Sequence, residues 1–597
     1  MAEFPRIEDH GIIGDMKTVA LVSLNGNIDF MCYPDFDSPT IFAALLDPDK
    51  GGAFSFSPLM EKPRRRQLYL PDTNILITRF LCSDGVAEIS DFMPVDGFCR
   101  IVRRAKSVLG ENKFSFSCAP KPDYARSTPR VEKTDYGALF VSGDQNYRLY
   151  SSVTVELRDG EAAGEFTLSE GEHAYLVFEA ESTEVEKPEV NDDYVVRSFK
   201  ETSNYWRGWL SRSSYSGRWR EMVSRSALAL KLLQHRDHGS FVAAATFGLP
   251  EAIGGERNWD YRYSWIRDAA FTLYALMRLG FTDEAVAFEE WLFSRAGECS
   301  EDGSMQIMYG IDGRNELPEM SLDHLRGYRD SRPVLIGNAA HDQLQLDIYG
   351  ELMDAMYLAN KYARRVHRDP WNRLVRIVEY VSRNWDRPDE GIWEVRGGRR
   401  KFLSSRLMCW VAVDRAFRMA LKNSLPAPLE NWSAVRNEIH ESIYRDFWNK
   451  DLGAFVQYAG SSALDASVLL MPLVRFISPT DPYWLSTMRV VKDRLVKDCL
   501  VLRYDNEAES VDGLAGVEGT FTTCAFWYVE SLARSGDVQQ ARFFFEKMLS
   551  YANHLGLYSE ELSPAGEHLG NFPQALTHLA LISAAYALNK AMEDSWK

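Results

Sequence analysis

The feature that most constrains this fold is a change in hydrophobic period near residue 215. Beyond that point apolar residues recur at the helical period in twelve amphipathic segments. The segments are 218–235, 264–279, 283–296, 343–364, 370–384, 404–422, 428–448, 463–477, 482–496, 520–535, 538–552 and 573–591. Because twelve helices in hairpin pairs fit a ring with equal numbers of inner and outer helices, the pattern predicts an (α/α)6 toroid.

Residues 1–190 carry short runs of strand-forming residues separated by turn signals such as Ser83-Asp84-Gly85. Many short strands at regular spacing are typical of an antiparallel sandwich rather than of alternating strands and helices. The polar stretch 191–214 is typical of a helical linker laid against the next domain. The chain is therefore predicted to be an α+β multidomain protein, with an N-terminal β-sandwich over 1–190, the linker over 191–214 and the toroid over 215–597.

Charge and composition exclude several classes of partner. The formal net charge of −17 argues against nucleic acid and against an anionic membrane, because both require a basic surface. No stretch approaches the ~18 uninterrupted apolar residues of a membrane helix, and the first residues show no secretory signal. The eight cysteines are scattered, and the histidines do not cluster at metal-ligand spacing. We expect a cytoplasmic protein with no metal and no cofactor, whose oligomeric state the sequence leaves open.

Three predicted loops between helices are long enough to indicate a function. They are Thr246–Trp265, Cys299–Asp342 and Cys499–Gly519. The second contains Arg332 and the third contains Arg503, and both arginines are candidates for binding a substrate. Since loops on one side of a toroid meet at one mouth, we expect the functional side chains to gather there.

Aromatic and charged residues alternate at the entrance of the second predicted helix. Trp259, Tyr261 and Trp265 are interleaved with polar residues, and Arg267 and Asp268 follow. Aromatic rings can cover the apolar faces of a sugar, and a charged pair can hydrogen-bond its hydroxyls. The same residues would equally suit a core helix with an aromatic-rich first turn.

Two glutamates stand in other loops of the predicted toroid. Glu394 directly follows Trp393, and Glu560 precedes the last helix. Inverting hydrolysis of a glycosidic bond needs a carboxylic acid on one side of the bond and a carboxylate base on the other. The two groups stand ~6.5–9.5 Å apart, which leaves room for the water that the base activates. Each glutamate taken alone would also be explained as a solvated surface charge.

The motifs together resemble those of glycoside hydrolase family 15, the glucoamylase-like enzymes, and in particular its prokaryotic trehalase-like branch. His10–Asp15 and Pro34–Pro39 are similar to the N-terminal β-sandwich of that branch. Trp259–Asp268 looks like the motif of the first sugar subsite. Gly391–Glu394 resembles the motif of the general acid, and Leu557–Glu561 resembles that of the general base.

The resemblance implies that Glu394 is the general acid and Glu560 the general base. Substrate contacts are expected from Tyr261, Trp265, Arg267, Asp268, Trp393, Arg332 and Arg503. Glu561 lies where fungal members carry glutamine, so the base assignment stays open between Glu560 and Glu561.

The implied activity is inverting hydrolysis of a small α-glucoside, with trehalose favoured and β-glucose released. We expect the loops Tyr33–Pro39 and Cys299–Asp342 to close the mouth beyond the second sugar. The alternatives are a glucoamylase, an exo-α-glucosidase acting on isomaltose or maltose, an inverting glycoside phosphorylase and a non-catalytic sugar-binding protein. The presence of Glu394 together with Glu560 argues against the last two.

Overall fold

The computed structural model describes residues 4–143, 145–158, 160–181, 188–362, 368–505, 512–514, 516 and 518–594. Residues 506–511, 515 and 517 of the predicted loop Cys499–Gly519 lie outside this range. No helix in the described part of the chain is long and apolar enough to cross a membrane. The eight cysteines all carry free thiols, as their scattered positions predict.

The N-terminal region is built from strands β1 to β16. Their bounds are β1 His10–Gly14, β2 Val19–Ser23, β3 Asn27–Cys32, β4 Thr40–Phe42, β5 Phe54–Pro58, β6 Arg64–Tyr69, β7 Leu76–Leu81, β8 Val86–Phe92, β9 Arg100–Leu109, β10 Asn112–Cys118, β11 Arg130–Thr134, β12 Gly137–Val141, β13 Tyr147–Ser151, β14 Glu156–Arg158, β15 Glu161–Leu168 and β16 His173–Ala180. One sheet has the order β1-β2-β3-β5-β10-β15-β14 with β4 beside β3, and the other has the order β11-β12-β13-β16-β9-β8-β7-β6. The predicted antiparallel sandwich is confirmed.

The two sheets pack through alternating apolar side chains and one buried ion pair. In β5, Phe54 and Phe56 point inward between less buried serines. Arg103 on β9 is fully buried and donates to Asp91 Oδ1 at 2.8 Å. The same guanidinium donates to the carbonyls of Gly26 and Phe54 in the opposite sheet. Arg103 therefore joins the two sheets across the core, with its charge compensated by Asp91.

The helical region follows the predicted pattern. After the four-residue turn α1 Pro122–Ala125, the helices are α2 Asp192–Leu210, α3 Arg220–Leu233, α4 Ala269–Leu279, α5 Thr282–Gly297, α6 Asp347–Tyr362, α7 Arg368–Asn384, α8 Leu403–Asn423, α9 Leu429–Phe447, α10 Leu470–Leu473, α11 Pro482–Arg494, α12 Thr522–Arg534, α13 Val538–Leu549 and α14 Ala575–Asp594. The inner ring runs α4, α6, α8, α10, α12 and α14, and it closes where α14 packs against α4. The predicted (α/α)6 toroid is confirmed.

One inner position is less regular than its sequence predicts. Only Leu470–Leu473 is α-helical within the predicted segment 463–477, after a 3-10 turn at Ala466–Leu469. Asp465 caps that turn by accepting from the Ser467 N–H at 2.6 Å. The helix ends at Leu473. Two residues later Arg475 has a φ of 62°, a value that a right-handed helix cannot continue through. The result is a short inner element that places Asp465 at the mouth of the ring.

Loops that precede the inner helices meet at one mouth of the toroid, and each brings a carboxylate there. These carboxylates are Asp268 before α4, Asp347 at the start of α6, Glu394 before α8, Asp465 before α10, Glu518 before α12 and Glu560 before α14. The helix N-termini supply partial positive charge close to these carboxylates.

The segment Tyr33–Pro39 packs against the toroid rather than lining the cleft. Asp37 pairs with Arg314 at 2.6 Å, and Asp35 pairs with His235 at 3.0 Å. The Ser38 carbonyl accepts from Arg262 at 2.7 Å. The segment therefore supports the loop Cys299–Asp342 from the sandwich side.

Candidate active site

Glu394 is held at the mouth of the ring by the aromatic motif. Its Oε1 accepts from Trp265 Nε1 at 2.8 Å and from Arg267 at 3.0 Å. The Arg267 guanidinium also donates to Asp268 Oδ1 at 3.1 Å and to the Ile392 carbonyl at 2.9 Å. The two sequence motifs, 125 residues and more apart in the chain, thus form one hydrogen-bonded group.

Local backbone structure brings these side chains together at the mouth of the ring. Trp265 lies in the short strand Ser264–Trp265, which pairs with Met308–Tyr309, and Arg267 lies in the 3-10 turn just before α4. Glu394 has a φ of 58°, a left-handed conformation that is strained for a residue with a side chain. Such strain persists where the surroundings fix a functional side chain, and here the Glu394 carbonyl accepts from Gln343 at 3.2 Å.

Glu560 is fully buried on the inner side of the cleft. Its Oε2 accepts from the Asn571 N–H at 3.3 Å, whereas Oε1 has no hydrogen-bond partner among the described residues. Burial raises the pKa of Glu560 to about 8, and the Glu251 carboxylate adds to the effect. Gly570 has a φ of +69°, and a Cβ there would lie 2.6 Å from Glu560 Oε2, so glycine leaves the space that this carboxylate occupies.

Tyr261 is buried near both glutamates. Its side chain is buried, and it packs edge-on against Trp265 with ring centroids 5.3 Å apart. Burial first, and then the charges of Glu560 and Glu394, raise the pKa of its hydroxyl. The phenol therefore lies close to both carboxylates in a water-poor part of the cleft.

Arg503 is the centre of a buried charge cluster next to Glu560. Its guanidinium contacts Glu518 at 2.6 Å, Glu251 at 2.9 Å and Glu561 at 3.3 Å. The carboxylate of Glu561 also accepts from the Gly519 N–H at 2.7 Å. Glu561 is thus directed toward Arg503 and the backbone, while Glu560 forms no ion pair among the described residues.

The same cluster is the closest approach to a metal site in the described part of the chain. Oxygen atoms of Glu251, Glu518 and Glu561 lie within 4.8 Å of one another. Arg503 contacts all three, and Arg257 contacts Glu518 at 2.8 Å. The two arginines therefore offset part of the negative charge of these three carboxylates.

Trp393 and Arg503 line the cleft together with Glu251 and Glu394. Trp393 Nε1 donates to Asp465 Oδ2 at 2.9 Å, which fixes the ring, and the Arg503 guanidinium lies 5.9 Å from that ring. The lining residues are Glu251, Arg257, Trp259, Tyr261, Asn338, Ala340, Trp393, Glu394, Arg396, Arg503, Tyr504, Asp512 and Leu514. Arg332 is not brought into this group, because it is exposed and donates to the Arg326 carbonyl of its own loop at 3.2 Å.

Sequence reasoning missed several carboxylates of the cleft. Glu251 lies in the loop Thr246–Trp265, but its partner Arg503 is 252 residues away. Asp465 fixes Trp393 from inside a predicted helix. Asp347 is fully buried, neither of its oxygens has a hydrogen-bond partner among the described residues, and burial raises its pKa to about 6. Asp347 and Asp465 share one sequence signal, their position at or just before an inner helix, whereas Glu251 lies well before α4 and has no such signal.

Comparison with known proteins identifies the chain's relatives. Residues 217–586 match the model for glycosyl hydrolases family 15, and residues 2–186 match a model described as trehalase-like, N-terminal. The toroid and its carboxylate-rich cleft are therefore those of a glycoside hydrolase. Because the first match spans more than half of the chain, the protein belongs to glycosyl hydrolases family 15.

Individual relatives extend over nearly the whole chain. A protein named trehalase from Thermoplasma volcanium is 36% identical and aligns with 99% of this chain and 94% of its own length. A trehalase from Mycobacterium tuberculosis is 37% identical, covering 99% of this chain and 91% of its own. A bacterial glucoamylase complexed with acarbose superposes with a TM-score of 0.73 at 13% identity, covering 99% of this chain and 96% of that one. At that identity, the last comparison concerns the fold alone.

Proposed function

We propose that this glycoside hydrolase cleaves trehalose with inversion of configuration at one anomeric carbon. The choice of trehalose as the substrate rests on the similarity to proteins named trehalase over nearly their full length. The chemistry is supported by two glutamates from separate loops that both lie near the Tyr261 phenol. Glu394 donates the proton and Glu560 activates the water in this proposal.

Hydrogen bonding supports Glu394 as the proton donor. Its Oε1 already accepts from Trp265 and Arg267, so a proton on this carboxyl must reside on Oε2. Oε2 has no hydrogen-bond partner among the described residues and is available to the glycosidic oxygen. Arg267 and Asp268, linked at 3.1 Å, lie beside the acid and would bind hydroxyls of the terminal glucose.

The surroundings of Glu560 support it as the base in preference to Glu561. Each glutamate has an Oε1 without a hydrogen-bond partner among the described residues, but Glu561 is paired with Arg503 and accepts from the Gly519 N–H, whereas Glu560 forms no ion pair there and can accept a proton from water. Burial raises the pKa of both glutamates, so either carboxylate would be a stronger base than an ordinary glutamate, and the choice between them rests on their contacts. The water between this carboxylate and the sugar would then attack the anomeric carbon as Glu394 protonates the departing oxygen.

Product analysis tests the proposal. Inversion yields one β-glucose and one α-glucose from each trehalose, whereas retention yields α-glucose only. Proton NMR during the first turnovers, before mutarotation, should show both anomers in equal amounts. Release of glucose should need no added phosphate, and trehalose should exceed isomaltose, maltose and starch in kcat/KM. Exclusive early α-glucose, or formation of a sugar phosphate, would overturn the mechanism.

A further inference from the structure

Arg396, Trp259 and Glu319 form a second wall of the cleft, beyond Glu394. The guanidinium carbon of Arg396 lies 4.4 Å from the centre of the Trp259 ring. Arg396 also donates to Glu319 Oε2 at 2.9 Å, and the same oxygen accepts from the Ala339 N–H at 3.3 Å. This ion pair joins the segment after Glu394 to the loop Cys299–Asp342 across the mouth.

Exposure places this wall on the solvent side of the reacting bond. Glu560 is 0% exposed, the Glu394 side chain 17%, and the Arg396 side chain 35%. Arg267 and Asp268 bind the terminal glucose on the inner side in the proposed function. The sugar beyond the cleaved bond must then lie outward of Glu394, next to Arg396 and Trp259.

We infer that Arg396, with Trp259 and Glu319, forms the subsite of the second sugar and limits the substrate to two sugars; this inference rests on the proposed function. Within the described part of the chain, Arg396 uses one of its five side-chain N–H groups, in the bond to Glu319, and the others can donate to hydroxyls. Stacking on Trp259 holds the guanidinium in one orientation before a sugar binds.

The ion pair also explains how the site can be closed and still admit a substrate. Its members are 35% and 20% exposed, and exposed ion pairs of this kind are weak. The pair can therefore separate as a disaccharide enters. A third sugar would occupy the place of the Arg396–Glu319 contact and would keep the pair apart.

Chain-length selectivity tests the inference. We would measure kcat/KM for maltose, maltotriose and maltotetraose, a series in which only length changes, and for trehalose. In Arg396→Ala we expect the ratio of maltotriose to maltose to rise about tenfold or more, because the steric limit is removed, while kcat/KM for trehalose falls. Glu319→Gln keeps the shape but removes the charge that draws Arg396 across the mouth, so it should raise the same ratio by a smaller factor. Arg399→Ala is the matched control, since Arg399 pairs with Glu390 outside the cleft at 2.8 Å.

The outcomes separate the inference from the function on which it rests. An unchanged ratio in both Arg396→Ala and Glu319→Gln overturns the inference while leaving trehalose hydrolysis intact. A wild-type enzyme that prefers maltotetraose to every disaccharide overturns both. If Arg396→Ala does not fold, as judged by circular dichroism, Glu319→Gln alone decides, because it is nearly isosteric.

Discussion

At the scale of single residues, the two glutamates carry distinct roles that substitution can separate. We expect Glu394→Gln and Glu560→Gln each to lower kcat on trehalose by about 10²–10⁴-fold. An activated aryl α-glucoside needs little protonation of its leaving group, so it should rescue Glu394→Gln but not Glu560→Gln. Steady-state kinetics with both substrates measures this. Glu561→Gln is the control for the base, and a loss as large as that of Glu560→Gln would contradict the assignment.

The raised pKa of Glu560 predicts an unusual pH profile. A base must be charged, so kcat/KM should fall as the pH drops below the pKa of Glu560, which is about 8. Burial is the first cause of this raised pKa, and the Glu251 carboxylate is the second. Glu251→Gln removes the nearby negative charge, so the acid limb should move to lower pH. Glu518→Gln, which removes another partner of Arg503, is the matched control and should move the limb less. A shift of the basic limb instead would mean that Glu560 is the proton donor.

At the scale of elements, Trp209 is one of the residues that attach α2 to the toroid. Its ring stacks on Phe281 with centroids 4.0 Å apart and planes 5° apart, and its Nε1 donates to Glu284 at 2.7 Å. We expect Trp209→Ala to lower the free energy of unfolding by about 3–5 kcal/mol. Trp209→Phe keeps most of the ring and loses the bond to a charged acceptor, for a cost of about 1.5–3 kcal/mol. Urea unfolding measures both, and equal losses would mean that stacking contributes little.

The sequence predicts elements better than it predicts contacts between them. Long segments such as α8 and α14 are recognised because many turns repeat one apolar pattern. The sequence predicts a full helix near Asp465, because no local signal shows that the helical conformation stops before Arg475. Partners of the site residues, such as Glu251 for Arg503, are set by ring closure over hundreds of residues and leave no periodic signal. Arg332 had the right residue type in the right loop, but it bonds within that loop.

At the scale of the whole molecule, the sandwich and the toroid share buried polar contacts. Arg225 on α3 is buried over the Tyr69 ring at 3.9 Å and donates to the Thr73 carbonyl at 3.1 Å. Asn553 donates to the His10 carbonyl at 2.8 Å. Separating the two regions would leave these groups unsatisfied. We therefore expect one cooperative thermal transition, with calorimetric and van't Hoff enthalpies equal. Two resolved transitions would contradict this coupling.

Closure of the ring by α14 against α4 also bears on how the protein is synthesised. Ribosomes add ~5–20 residues per second, so the roughly 300 residues from Arg267 to Glu560 take roughly 15–60 s. Throughout that time the nascent toroid is an open arc with an unpaired inner face, whereas the N-terminal strands can already pair. Ribosome-bound chains arrested just before Glu560 should therefore yield a protease-resistant N-terminal fragment and a sensitive remainder. Uniform resistance along such chains would mean that the arc is stable before α14 closes it.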